Sequence, residues 1–323
     1  MSILGDRISA QRKISCVQLA KIPAPDFDLA MTLGSGQLFH WEKLGNGFIG
    51  AIGDRPVYVE QHGDSLLTSC QDEKLIRNYF ALDHPLAEIC ASFPVDPVMG
   101  AAKEFCRGLR IVRQPKWECL ATFICSSMKQ VAHIRQISRS LREQFGEQRK
   151  IDPPSPRLRR GDTVVVHTFP TVERIAESSE KELRKCGLGY RAKNLLASAH
   201  LVASGDVDLE KLAALTDLDL RARLCELPGV GAKVANCVML FAYERLRAFP
   251  IDVWIERVLR EKYFPRTRRL NAARLQAFTE GYFGDHGGYA QQYLFHHARK
   301  TARRSRTIGS TQSKRRRLSQ SRV

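Results

Sequence analysis

The run Leu227-Pro228-Gly229-Val230-Gly231-Ala232-Lys233-Val234-Ala235-Asn236-Cys237 restricts the possible folds of this chain more than any other. Apolar residues at helical spacing precede it over Asp217–Glu226 and resume over Lys233–Tyr243. Pro228 and the two glycines leave space only for a tight hairpin between two helices. Gly229 and Gly231 can take backbone angles closed to other residues and let another backbone approach. The hairpin amides and the N-terminus of the second helix form a phosphate site, although a plain helix–helix turn would read the same. Lys233 falls in the first turn of that helix, where the positive end of the helix dipole disfavours a second positive charge. A neutral amine there is a nucleophile able to form a Schiff base with a sugar carbon. A charged amine would instead hold a phosphate, and the local sequence allows both.

Nineteen residues beyond Lys233 stands Asp252, in Phe249-Pro250-Ile251-Asp252-Val253. Pro250 closes an extended loop, and Asp252 opens the next helix, where backbone amides can keep its carboxylate ionised. Turned toward Lys233, that carboxylate would stabilise positive charge on a sugar ring as a base departs. Taken alone it reads equally as an N-cap. The order and spacing of the pair favour a chemical role.

Charge and cysteine usage narrow the class. The 323 residues carry a net charge of +17, which suits a polyanionic partner. Ten Lys or Arg and no acid lie in 299–323, which reads as a disordered basic tail serving DNA grip, a nuclear address or nothing specific. No apolar run of membrane-spanning length and no N-terminal signal segment occur, so the expectation is a non-secreted protein with no membrane contact. The nine cysteines include no C-x-x-C pair and read as free thiols, with no zinc or iron–sulfur spacing.

The texture of the chain divides near residue 100. Gln37–His40, Phe48–Ile52, Val57–Gln61 and Ser65–Thr68 read as short strands of an antiparallel sheet, with a helix over Leu75–Ala81. Helical patterns then cover Trp117–Met128, Val131–Phe145, Val172–Ser178, Glu180–Cys186, Arg191–Ser204, Asp208–Leu215, Asp217–Glu226, Lys233–Tyr243, Val253–Lys262, Leu270–Phe283 and Tyr289–Arg299. Lys150–Arg160, with three prolines, reads as a loop or insertion. The fold class is therefore α+β: an N-terminal sheet domain (1–100), an all-helical domain (101–298) and the tail (299–323).

The hairpin, Lys233 and the Pro-x-Asp motif resemble the helix-hairpin-helix glycosylase superfamily, and within it the 8-oxoguanine DNA glycosylases. The resemblance covers roughly residues 30 to 298. Ser35-Gly36-Gln37-Leu38-Phe39-His40-Trp41 is similar to the family's S-G-Q-x-F-x-W segment. Phe123-Ile124-Cys125-Ser126-Ser127, Leu188-Gly189-Tyr190-Arg191-Ala192 and Gly288-Tyr289-Ala290-Gln291 with Phe295 are similar to three more of its segments, in the family's order.

The resemblance implies a TBP-like sheet in the first domain and a bifunctional glycosylase and abasic-site lyase that needs no cofactor or metal. It implies that Lys233 is the nucleophile and Asp252 its carboxylate. The Gly36 carbonyl would accept the N7 hydrogen that marks 8-oxoguanine, a bond that guanine cannot make. Phe295 and Cys237 would sandwich the extruded base, and Gln291 would bond its Watson–Crick edge. Tyr190 would wedge into the stack, Arg191 would address the orphaned cytosine, and Gly229 and Gly231 would hold the backbone. The partner is duplex DNA containing 8-oxoguanine, the chain acts as a monomer, and its place is the cytoplasm or nucleoid of a bacterium or the nucleus of a eukaryote.

The sequence also departs from the pattern. Where family members carry an Asn run and an Arg facing the cytosine, this chain has Met128, Lys129 and Gln130, with His133 at the Arg position. Trp254 stands where a His often follows the Asp. These changes imply a relaxed preference for the opposite base. The alternatives are a monofunctional alkylbase glycosylase, which needs no lysine at 233, and a noncatalytic DNA-binding module, which needs neither Lys233 nor Asp252.

Overall fold

Short strands separated by Gly45-Asn46, Gly53-Asp54 and Gly63-Asp64 can only fold back on one another, and they do. In the computed structural model, which describes residues 19–152, 163–267 and 269–302, they build a five-stranded antiparallel sheet. Its strands are β1 (Ala20–Pro23), β2 (Glu42–Leu44), β3 (Gly47–Ile52), β4 (Arg55–His62) and β5 (Ser65–Thr68), in the order β1-β5-β4-β3-β2. Register is fixed by pairs such as Phe48 with Val59 and Gln61 with Leu66. One face packs Ile22, Trp41, Val57, Val59 and Leu66 against α1 (Leu29–Gly34) and α2 (Glu73–Tyr79).

Two readings of this region change. Gln37–His40 is irregular backbone, not a strand, because Gln37 is fully buried and its side chain bonds the segment at 110–112 in place of a sheet ladder. The strand β1 pairs with a segment more than forty residues away and has no turn to announce it.

Helices α3 (Leu86–Ala91) and α4 (Pro97–Phe105), which the sequence reading did not assign, bury Leu86, Ile89, Met99 and Ala102 in the same core as the later helices. That core also takes α5 (Lys116–Ser126), α6 (Val131–Phe145), α7 (Val172–Ala176), α8 (Glu180–Lys185), α9 (Arg191–Ala203), α10 (Asp217–Cys225), α11 (Ala232–Ala242), α12 (Val253–Val258) and α13 (Ala272–Phe283). A last helix, α14, covers 287–302. Helical packing therefore begins before the expected boundary at residue 100. The first residues of the expected basic tail belong to α14, where Arg299 is buried; 303–323 lie outside the described residues. The expected loop at Lys150–Arg160 begins inside a strand: β6 (Gln148–Ile151) pairs with β7 (Val164–His167), and this hairpin packs on β3 and β4. The rest of that stretch lies outside the described residues.

Buried polar groups lock sheet to helices. Glu118 on α5 pairs with Arg142 on α6, and His40 Nδ1 lies 3.4 Å from the same carboxylate. Burial and the Arg142 charge push the His40 imidazole well below its ordinary range, so it stays neutral there.

Candidate active site

The hairpin between α10 and α11 is set by one glycine, not two. Gly229 has φ +82°, and a Cβ there would come within 2.8 Å of the Asn194 side chain. Gly231 is extended, with φ −99° and open space around it, so its role is that of the α11 N-cap rather than a special angle. Leu227 and Val230 are buried, and Ser198 Oγ donates to the Pro228 carbonyl at 3.0 Å. The loop is thereby anchored from α9.

This places Lys233 on the first turn of α11, partly buried, facing the end of α5. Its amine donates to Ser126 Oγ at 3.2 Å and lies 5.2 Å from the centre of the Phe123 ring. Phe123 stacks on Phe241 at 5.4 Å, which fixes the ring beneath the amine. Cys237 is one turn further along the same helix face. Burial pushes its thiol up to about 11 despite the neighbouring amine, so it is a neutral, polarizable surface at working pH.

Asp252 takes the first of the two roles that the sequence left open. It is the N-cap of α12, accepting from Trp254 N at 3.1 Å and Ile255 N at 2.9 Å. It is also partly buried and close enough to Lys233 and Arg299 to feel both charges. Burial, the largest influence, raises its carboxyl above the ordinary range, and the two amides and two cations oppose that rise.

A second wall comes from α14 and the turn at 34–36. Gly36 has φ +98°, and a Cβ there would meet Arg299 Nη1 at 2.6 Å and Phe295 Cε1 at 3.0 Å. Gly36 and Phe295 therefore lie on the same wall, with no space for a side chain between them. Gln291, one turn before Phe295, is buried, and its Oε1 meets no donor among the described residues. A buried acceptor without a partner is costly, so Gln291 is poised for a ligand that brings a donor.

The other predicted residues form a separate cluster. Tyr190 is 59% exposed at the start of α9, with the Arg191 guanidinium 4.4 Å from its ring centre. Arg191 is buried rather than reaching outward: its Nε donates to the Ser127 carbonyl at 2.7 Å, and its Nη2 bonds the same oxygen. Met128, next to Ser127, is 91% exposed with φ +55°, and His133 is exposed on the first turn of α6.

Sequence reasoning gave no role to two residues at the site. Ser126 was visible only as part of a motif, although a serine at the end of a buried helix is a ready acceptor. Arg299 was read as the end of the helix Tyr289–Arg299 and the start of the tail, although the spacing 291, 295, 299 puts it on one helix face with Gln291 and Phe295. Among the described residues no three His, Cys, Asp or Glu converge as metal ligands would. A cleft of about 260 Å³ between α10, α11 and α13 borders Asn236 and Phe249 but includes neither Lys233 nor Asp252.

Known proteins resemble this chain in sequence and fold. Residues 20–120 match the family model described as 8-oxoguanine DNA glycosylase, N-terminal domain, and 121–280 match that of the HhH-GPD superfamily of base excision DNA repair proteins. The N-glycosylase/DNA lyase OGG1 of Arabidopsis thaliana is 31% identical over 85% of this chain and 78% of its own. A structure of MBOgg1 with a low-affinity DNA ligand superposes with a TM-score of 0.80 at 32% identity, covering 87% of this chain and 96% of that one. The Clostridium acetobutylicum 8-oxoguanine glycosylase/lyase, bound to duplex DNA with cytosine opposite 8-oxoguanine, gives 0.78 at 27% identity, covering 88% and 98%. The chain belongs to the 8-oxoguanine DNA glycosylase family of the helix-hairpin-helix base excision repair superfamily.

Proposed function

We propose that this protein excises 8-oxoguanine from duplex DNA and then cleaves the strand at the abasic site. The observation that carries the reading is the pairing of an amine and a partly buried carboxylate, Lys233 and Asp252, at the mouth of the helical hairpin. Hairpin amides at Gly229–Gly231 hold a backbone phosphate beside the target nucleotide. Tyr190, exposed and stacked on Arg191, fills the space that the flipped base leaves. The base enters between Phe295 and Cys237. Its N7–H donates to the Gly36 carbonyl, and its Watson–Crick donors reach the unpartnered Oε1 of Gln291.

The chemistry follows from charge. As the bond between C1′ and the base nitrogen breaks, its electron pair leaves with the base and the ring becomes cationic. The Asp252 carboxylate lowers the energy of that state. The lone pair of Lys233 Nζ forms the new C1′–N bond, and the proton that Nζ then sheds goes to the departing base. Ring opening yields a protonated imine, which acidifies the C2′ hydrogen. Loss of that proton expels the 3′ phosphate and nicks the strand.

We place the activity in the nucleoid or cytoplasm of a bacterium or in a eukaryotic nucleus. Among the described residues no helix is long and apolar enough to cross a membrane. A monofunctional alkylbase glycosylase would not need an amine held between Ser126 and Phe123.

The test is base release and borohydride trapping on a duplex with 8-oxoguanine opposite cytosine. The wild type is expected to release the base and to give a covalent adduct. Lys233→Gln should bind the duplex and give none. Trapping that persists in that variant would move the nucleophile elsewhere, and a wild type that releases no 8-oxoguanine would sink the reading.

A further inference from the structure

We propose that Arg299 is a positioning residue of the base pocket: it clamps the turn at 34–36 against the face of Phe295 and so sets the width of the lesion-binding slot. The inference rests on the function proposed above. It begins from helix register. Gln291, Phe295 and Arg299 recur every four residues on α14, and all three are buried.

Arg299 then makes two contacts at once. Its Nη2 donates to the Gly34 carbonyl at 2.8 Å, and its guanidinium carbon lies 5.1 Å from the Phe295 ring centre. The virtual Cβ of Gly36 collides with Arg299 Nη1 before it reaches Phe295. The guanidinium therefore occupies the space beside the one residue whose carbonyl must face the lesion. Gln292, on the same helix, donates to the Ser35 carbonyl at 3.3 Å. The carbonyls of Gly34 and Ser35 are thus both gripped from α14, and Gly36 is the next in line.

A cation is not an obvious choice here. Positive charge near C1′ opposes the cationic state through which the base leaves. Among the ionisable groups near it, Asp252 on α12 is the counterweight, Lys233 on α11 is the nucleophile itself, and His296 on α14, pushed down to about 4, is neutral at working pH. The arrangement makes sense if the gain is geometric. A planar guanidinium can bond a carbonyl and lie on an aromatic face together, which lysine cannot do.

The experiment uses the full chain with Arg299→Met and Arg299→Lys, and reads two reactions by single turnover. One is base release from 8-oxoguanine opposite cytosine. The other is cleavage of a preformed abasic duplex, which has no base to position. Arg299→Met should slow base release about ten- to hundredfold, the scale of a small misplacement of reacting groups, and slow abasic cleavage by no more than about threefold. Arg299→Lys should recover part of the loss in base release, because it keeps the charge and one donor to Gly34. Unchanged base release in Arg299→Met overturns the proposal. So does an equal loss in both reactions that Arg299→Lys reproduces, since that marks general support of the fold. Failure of the wild type to release 8-oxoguanine counts against the proposed function instead.

Discussion

The amine of Lys233 rests on the hydroxyl of Ser126 at 3.2 Å, and that hydroxyl itself donates to the Phe123 carbonyl at 2.8 Å. Ser126 has spent its one proton on its own helix, so it can only accept from the lysine. This aims the amine from α11 across to the end of α5. Ser126→Ala removes the acceptor and leaves the lysine to wander over the Phe123 ring. Base release should fall about tenfold, the worth of one hydrogen bond, while borohydride trapping persists. A rate within twofold of wild type would show that the hydroxyl does not position the amine.

Asp252 carries opposite consequences for activity and stability. Asn at 252 keeps an acceptor for the Trp254 and Ile255 amides but removes the charge. Base release should drop by about two orders of magnitude or more. Burial raises the folded pKa above the ordinary carboxylate range, so the stabilising form is the protonated one, present at low pH and lost as pH rises through the folded pKa. At neutral pH the ionised carboxylate therefore costs stability, and Asp252→Asn should melt no lower than wild type. The acid limb of base release should also lie above the ordinary carboxylate range and vanish in the variant. A clearly lower melting temperature for Asp252→Asn would show that the cap, not the charge, dominates there.

Glu244 makes a cleaner pH prediction. It follows α11 in a left-handed conformation, φ +57°, and bonds His84 Nε2 at 2.5 Å and the Arg113 guanidinium. The His84 bond, then Arg113, depress its pKa from 4.5 to about 2. Its stabilising effect is present above the unfolded value and lost as pH falls through the folded one. The side chain is 41% exposed, so solvent screening reduces the effect to roughly 1 kcal/mol. Glu244→Gln should melt below wild type at pH 7, with the difference shrinking below pH 4.5 and gone near 2. A difference that is constant across that range would assign the effect to shape rather than charge.

What the sequence made legible follows from how local each signal is. The hairpins β3–β4–β5 announce themselves through two-residue glycine turns, and α5, α6, α9 and α11 through apolar spacing. The pairing of β6 with β7 was hidden because a long proline-bearing segment, not a tight turn, joins them. Helices α1 and α3 have six residues each, too few for periodicity to show, and α1 is marked mainly by its Asp28 cap. At the site, Lys233 and Asp252 were readable because motif residues sit at helix starts, where the cap geometry dictates direction. Arg299 closed the expected helix but was given no role because the basic composition of 299–323 assigned it to the tail as well, although a helix face, not composition, decides where that side chain points. The burial of Arg191 was not readable at all, since its partner is a backbone carbonyl at Ser127.

That burial sharpens the last prediction, which concerns the base opposite the lesion. Cytosine is recognised by donors to its O2 and N3 and acceptors from its amino group. Of the residues that could supply donors, Arg191 is already committed to the Ser127 carbonyl and stacked under Tyr190. Reading cytosine would require breaking that arrangement, which sits one residue before the left-handed backbone of Met128. Met128 has no donor, and its 91% exposure leaves a flexible apolar side chain to fill the orphan space whatever base lies there. His133 is exposed on α6, shorter than arginine and charged only when protonated. A missing bidentate contact typically forfeits about 1–3 kcal/mol of discrimination. The expected outcome is a weak preference for cytosine, with 8-oxoguanine also excised opposite the other three bases. Met128→Asn combined with His133→Arg should sharpen the preference without touching Lys233 or Asp252. Single-turnover excision from four duplexes differing only in the opposite base measures this directly. A cytosine preference above roughly a hundredfold in the natural sequence, about 2.7 kcal/mol, would mean that Arg191 leaves Ser127 and reads the base after all.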